Sequence, residues 1–272
     1  MKTLTTLFVL LAACVGVACD IQVGDKGFSL GIAEGRATDK WTRTYTLPAG
    51  GRLEIVNTNG LIEATGTDGR QIQVLAERRA RAGSEEEAAA LLKEIDMRED
   101  VTANSVRIEA RGARVGGFGR RRFDVQYHVM VPAGLSISFR TSNGGIRLTN
   151  VSGQMVASTT NGGITGSGLS GGLDADVVNG GIQIDLASVT SEVKVESVNG
   201  GIRLDLPVDV RVDLEAECVN GGINVDDRFK MAANGEESRR RVSGQLNGGG
   251  PRVSVQAVNG GVRIRARGAS ET

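Results

Sequence analysis

From Arg52 onward apolar and polar residues alternate with a period of two, and the alternation is punctuated by one recurring tetrapeptide. Asn-Gly-Gly-Ile starts at Asn143, Asn161, Asn179, Asn199 and Asn220, and Asn259 opens a copy that ends in Val262. The copies are spaced 18, 18, 20, 21 and then 39 residues apart, and Asn59-Gly60-Leu61-Ile62 is an outlying first copy. Aligned on the Asn, the residues six before it are Leu53, Ile137, Met155, Leu173, Val193, Leu214 and Val253. Four before stand residues such as Ile55, Phe139 and Val195, and three after stand an almost unbroken row of Ile. Period two predicts strands with one buried face. Each fully buried Val, Ile or Leu contributes about 1.5–3 kcal/mol, so this stripe is the dominant stabilising element. Two before the Asn come Asn57, Thr141, Thr159, Val177, Ser197, Cys218 and Ala257. Cys218 therefore reads as a buried small side chain and not as a nucleophile.

The Asn-Gly pair marks the turn, because both residues tolerate positive φ and a second Gly admits close approach of a neighbouring backbone. Spacing alone fits a meander of type I′ hairpins as well as a solenoid. Near-identity at the same offset in copy after copy favours the solenoid. Coils stacked about 4.8 Å apart would bring like side chains into ladders, and a buried ladder of Asn143, Asn161, Asn179, Asn199, Asn220 and Asn259 could satisfy its own amides. The fold class expected is all-β: a right-handed β-helix-like solenoid of about 18–21-residue repeats spanning 41–267. One capping helix is inserted at about 84–96, where Ser84-Glu85-Glu86-Glu87 is a capping box before an Ala/Leu-rich run; it would cover a sheet edge or an open end of the solenoid. Residues 20–40 read as a tether, Gly116 to Arg122 as an exposed loop, 226–246 as a polar insertion and 268–272 as a tail.

Met1-Lys2 and the apolar run from Leu7 to Ala18 are short for a membrane span and suit a secretory signal over 1–19. Leu11-Ala12-Ala13-Cys14 has lipobox spacing, with Gly16-Val17-Ala18-Cys19 as a second candidate, so Cys14 and Cys19 are the lipidation candidates. A plain signal cleaved near Ala18 is the alternative. Either way no disulfide framework is available.

The 272 residues carry 32 cationic and 32 anionic side chains and one histidine. That balance argues against a nucleic-acid partner, and one histidine leaves little room for triad or histidine-metal chemistry. His128 lies in an alternating strand and reads as structural or surface. No nucleophile elbow, phosphate loop or zinc-protease helix is present. The chemistry worth weighing is acidic: Asp185, Asp205 and Asp226 recur six after the Asn, and Asp176, Glu196 and Glu217 three before it. If consecutive copies stack, these form two carboxylate ladders that could hold Ca²⁺, the one cofactor the sequence suggests. Outward Arg140, Arg147, Arg263, Arg265 and Arg267 make the ends of the repeat region basic, with the Arg120-Arg121-Arg122 loop a possible addition.

The sequence resembles the DUF4097 family of bacterial β-strand-repeat proteins, described as candidate adhesins. The resemblance runs from about Trp41 to Arg267. It is carried by the Asn59-Gly60 turn, the capped helix at Ser84, the strand Tyr127-His128-Val129-Met130-Val131-Pro132, the serial Asn-Gly-Gly-Ile copies, and the closing Leu246-Asn247-Gly248-Gly249 followed by Val258-Asn259-Gly260-Gly261-Val262. It implies an envelope β-solenoid with no catalytic residues to carry over. The expected function is non-enzymatic scaffolding, display or adhesion by an exported, membrane-tethered protein. The partners expected are the membrane through a lipid anchor and an envelope protein or glycan. The alternatives are an envelope-stress sensor that binds a partner protein and a polysaccharide-acting β-helix enzyme.

Overall fold

The computed structural model describes residues 19–24, 27–32, 35–112, 122–233 and 238–268. β1 (Cys19–Gly24) and β2 (Gly27–Ile32) form an antiparallel pair of their own. β3 (Gly35–Tyr45) begins the main body, so strands occupy much of the stretch read as a tether. β4 (Arg52–Asn59) and β5 (Ile62–Thr67) form the first regular coil. β6 (Ile72–Ala82), α1 (Glu85–Lys93), β7 (Asp96–Val101), β8 (Ser105–Arg111) and β9 (Arg122–Pro132) follow. Then come β10 (Ser136–Asn143) with β11 (Ile146–Thr149), β12 (Ser152–Asn161) with the long, bent β13 (Ile164–Asn179), and β14 (Ile182–Ser188). β15 (Val193–Asn199) turns into β16 (Ile202–Pro207), and β17 (Val212–Asn220) into β18 (Ile223–Val225). β19 (Met231–Ala233), β20 (Arg241–Leu246), β21 (Arg252–Asn259) and β22 (Val262–Arg267) complete the chain.

Pairing decides between solenoid and meander. β10 does not pair with β11 across its turn; it pairs in parallel with β4 and β12, Asn143 opposite Asn59 and Asn161. The same parallel register repeats from coil to coil, which makes the fold a solenoid. Strands ending at the Asn build one sheet (sheet I), in the order β7, β8, β4, β10, β12, the second half of β13, β15, β21, β17, β20 and β19. Strands leaving the turn build the other (sheet II): β3, β6, β9, β5, β11, the first half of β13, β14, β16, β22 and β18. Their inward residues meet in a single core that includes Leu53, Phe139, Ile182, Leu204 and Val255.

Two features of this order depart from the linear reading. The coil at Asn259 stands between those at Asn199 and Asn220, so the last two repeats are stacked in the reverse of chain order. The segment 226–246 is what permits this. It is more than a polar loop, since β19 and β20 add antiparallel strands outside β17, after which the chain returns to fill the slot beside β15. Antiparallel strands close the other end as well: β7 on β8, and β6 with β3 on β9. These additions cover the polar edge of parallel coils that would otherwise pair with another chain.

The expected helix forms as α1, ending at Lys93 because β7 begins at Asp96. Ser84 Oγ accepts from the Glu87 N–H, and Glu87 Oε2 accepts from the Gly83 N–H, which satisfies two donors at the helix start. Ala88, Leu91 and Leu92 are buried, and the helix packs against β3 and β6. Among the described residues no helix is long and apolar enough to cross a membrane. Residues 1–18, which hold all but the last residue of the expected signal and include Cys14, lie outside the described residues, as do most of the Gly116–Arg122 loop and the tail beyond 268; Cys19 is the first residue of β1.

Candidate functional site

The turn edge carries the most regular chemistry of the molecule. Asn143 Nδ2 donates to Asn59 Oδ1 at 2.9 Å, Asn161 to Asn143 at 2.8 Å, Asn179 to Asn161 at 3.0 Å and Asn199 to Asn179 at 2.9 Å. Asn259 then donates to Asn199, and Asn220 to Asn259, both at 2.8 Å. All seven amides point the same way, ending where Asn59 Nδ2 meets the Phe123 carbonyl at 3.3 Å. The six ladder asparagines expected from sequence are all in it, joined by Asn59. They are exposed, however, and not buried. The alternation of the strand puts the residue two before the Asn inside, and the Asn itself sits at the corner facing solvent.

Sequence reading missed what those inner residues do. Each turn leaves glycine carbonyls facing the core, where an unpaired acceptor costs about 1–3 kcal/mol. Thr159 Oγ1 donates to Gly144 O at 2.8 Å, Ser197 Oγ to Gly200 O at 3.1 Å, and Cys218 Sγ to Gly260 O at 3.0 Å. Asn57 Nδ2 does the same at the first coil, reaching Gly60 O and, at 2.9 Å, Val125 O. The signal was present as a column of small residues, most of them with a donor.

Beside the amides runs a second row that sequence reading also passed over. Val178, Val198, Val258 and Val219 each precede a ladder Asn, and they follow one another in consecutive coils of the stack. They are 43%, 42%, 41% and 57% exposed. In the earlier coils the same position holds Thr58, Ser142 and Thr160. The edge is thus a straight strip of amides flanked at its C-terminal half by β-branched apolar side chains.

The acidic ladders do not form as expected. Asp185 and Asp205 are register partners, but the next coil is that of Asn259, which places Arg265 beside Asp205. Asp226 lies beyond, its N–H on Ile264 O and its carboxylate accepting from Ala266 N–H. Arg267 binds Asp185 at 2.7 Å, Arg203 binds Asp205 at 2.8 Å, and Arg228 binds Asp226 at 2.8 Å, holding the Asp226 carboxyl below its usual range. The second row is split likewise: Asp176 and Glu196 are neighbours, but Gln256 separates Glu196 from Glu217, and Arg241 lies 3.1 Å from Glu217. The returning coil interrupts both rows, so neither sets three carboxylates in succession for Ca²⁺. Among the described residues no group of three His, Cys, Asp or Glu could hold a metal ion. Four of the five outward arginines at the basic ends are paired in the same way: Arg140 with Glu54 at 2.9 Å, Arg147 with Glu63 at 3.1 Å, Arg267 with Asp185 at 2.7 Å and Arg265 with Asp205 at 3.9 Å.

What remains of the acidic rows is one strained step. Burial pushes the Asp176 carboxyl up from 3.8 to about 6, helped by Asp174 and by a hydrogen bond and repulsion from Glu196, while Lys194 opposes the shift. A carboxyl whose pKa is raised by folding stabilises the protein while protonated, and that contribution is lost as pH rises through the folded value. Asp176→Asn is therefore expected to raise the melting temperature at neutral pH and to give no gain below pH 3.8, with the difference developing up to about pH 6. Melting curves of both proteins across that window test it; an equal offset at every pH would refute it.

Over residues 96–265 the sequence matches the family model Toastrack DUF4097. Among curated proteins none matches. Solved structures with similarity include a candidate cell-adhesion protein from Clostridium sporogenes ATCC 15579, 14% identical, covering 85% of this chain and 100% of that one with a TM-score of 0.48. A candidate adhesin from Bacteroides fragilis NCTC 9343 is 11% identical over 84% and 97% of the two chains, TM-score 0.29. A candidate lipid-binding protein from Parabacteroides distasonis ATCC 8503 is 9% identical over 84% and 97%, TM-score 0.25. The family match spans more than half the chain and takes in all six Asn-Gly-Gly turns from Asn143 to Asn259, and on that ground the protein belongs to the Toastrack DUF4097 family.

Proposed function

We propose that this protein is a non-enzymatic display or adhesion module of the bacterial envelope, exported by its N-terminal signal and tethered through Cys14 or Cys19. The observation that carries this reading is the strip of seven asparagines, six of them exposed, and four exposed valines along one edge of a rigid stack. Parallel coils fix its geometry, because each repeat is held by its neighbours on both sides. Contiguous exposed apolar side chains on a soluble protein mark contact surfaces. The carboxylates that an enzyme reading would use, Asp185 and Asp205, are each held in an ion pair with arginine, which favours a structural role for them.

The test is attachment of the producing bacterium to surfaces and to itself. Deleting the gene should lower attachment, and replacing Val178, Val198, Val219 and Val258 together by Thr should do the same while export and melting temperature stay at the parental level. Valine and threonine are close in shape and these positions face solvent, so the fold tolerates the change. Unchanged attachment in the deletion strain would overturn the display reading; full attachment in the quadruple variant would remove the strip from it.

A further inference from the structure

The single histidine of the chain stands in a groove that the display strip does not use. On the outer face of sheet II, Thr42, Leu75, His128 and Glu63 are successive register partners across β3, β6, β9 and β5. Two residues along, Gln73, Met130 and Thr65 form a parallel row. Together they line a cavity of about 370 Å³, within the usual range for a small-ligand site. Met130 is 40% exposed and Leu75 half-buried, which gives an apolar floor.

The polar groups around that floor have a consistent character. His128 Nδ1 lies 3.1 Å from Glu63 Oε2, and Arg147 donates to the other Glu63 oxygen at 3.1 Å. Arg147 holds the Glu63 carboxyl below its usual range, so it is ionised and can only accept. Nδ1 therefore carries a proton, and in the neutral tautomer this leaves Nε2 as an acceptor. Thr42, Thr65 and Gln73 supply two hydroxyls and a carboxamide, each able both to donate and to accept. The Glu63 charge is balanced by Arg147. A ligand complementary to these walls is uncharged, rich in hydroxyls, and has one apolar face to lay on Leu75 and Met130. An anion would meet the Glu63 carboxylate, and a cation would find that carboxylate already paired with Arg147.

We propose that this groove binds a neutral pyranose unit of a glycan, with its ring face on Leu75 and Met130 and its hydroxyls on Thr42, Thr65, Gln73 and His128. The site lies on a different face from the valine strip and stands whether or not the strip mediates attachment.

The experiment uses the full chain labelled at its methionine methyls and histidine ring. Glucose, galactose, N-acetylglucosamine and their β-1,4-linked dimers are titrated in turn to millimolar concentration. The expected result is a saturable shift of the Met130 methyl and the His128 ring together for at least one sugar, with the Met97 methyl unmoved. A dimer that binds more tightly than its monomer points to a polymer, and equal affinity to a free sugar. Thr65→Arg, which fills the groove from an outward position, should abolish the shift at an unchanged melting temperature, and Gln73→Ala should weaken binding about tenfold, as the loss of one good polar contact does. The proposal is overturned if no sugar in the panel moves either resonance, or if the shifts survive Thr65→Arg in folded protein. Because the quadruple valine variant leaves this groove intact, loss of attachment with retained sugar shifts, or the reverse, separates the two readings.

Discussion

Ile182→Asp is expected to leave no cooperative unfolding transition, whereas Ile182→Val costs only about 0.5–1.5 kcal/mol. Ile182 is fully buried between Ile164 and Ile202 in the row that runs through Ile62, Ile146, Val262 and Ile223. The aspartate forfeits about 1.5–3 kcal/mol of apolar burial. It also places an unpaired carboxylate in the core, which costs several kcal/mol more even after relaxation. Together these match or exceed the lower part of the usual stability range of about 5–15 kcal/mol. Position in the stack matters too. A solenoid is stabilised by contacts between adjacent coils, so damage in the middle uncouples the two halves. Ile223 lies in the end coil at the edge of sheet II and is only partly buried. Ile223→Asp should therefore lower the melting temperature and keep a cooperative transition. Circular dichroism melts of the three variants decide the matter; an Ile182→Asp protein that melts within a few degrees of the parent would show that the isoleucine row does not carry the stack.

The coil register was legible from residues alone, because one repeated tetrapeptide anchors the alignment and the buried side of each strand follows by parity. Ser84 likewise announced the helix. Three things were not legible. Stacking order was read as chain order, yet the coil at Asn259 precedes that at Asn220 in space. Consecutive strands are usually neighbours, and here the 39-residue gap hid a hairpin that lets the chain double back. Charge could have given the clue: chain order would stack Asp226 directly on Asp205, while the observed order puts Arg265 there. The exposed valines were overlooked because apolar residues were counted only in the inward phase. The His128–Glu63 contact joins residues 65 positions apart whose strands meet only because the irregular coil of β8 and β9 stacks outside the first regular one, and no local pattern encodes that.

The sequence assigns the close backbone approach to the second glycine of each Asn-Gly-Gly turn, and the structure places it at the first instead. Gly180 has φ +148°, and a Cβ there would stand 2.0 Å from Gly162 O and 2.6 Å from its carbonyl carbon. The neighbouring backbone cannot yield, since Gly162 N donates to Asn179 O and Gly180 N to Asn199 O, both at 2.9 Å. Relieving the clash means separating coils that these bonds and the Asn179–Asn161 amide contact hold together. A Cβ on Gly181 would meet only Gly201 O at 3.4 Å, an ordinary contact. Gly180→Ala is therefore expected to cost about 2–6 kcal/mol, combining backbone strain with forced overpacking. Gly181→Ala should fall within about 1 kcal/mol of the parent, because reduced freedom of the unfolded chain offsets any small crowding. Denaturant titration of the two single-methyl variants measures the contrast directly, and equal costs would mean that close stacking at the first glycine does not fix the turn. If the contrast holds, the first glycine is what lets successive coils approach closely enough for the amide ladder to close. The straight strip of Asn and Val at the surface is then a consequence of backbone packing at the turn, and a defect at Gly180 should cost surface contacts along with stability.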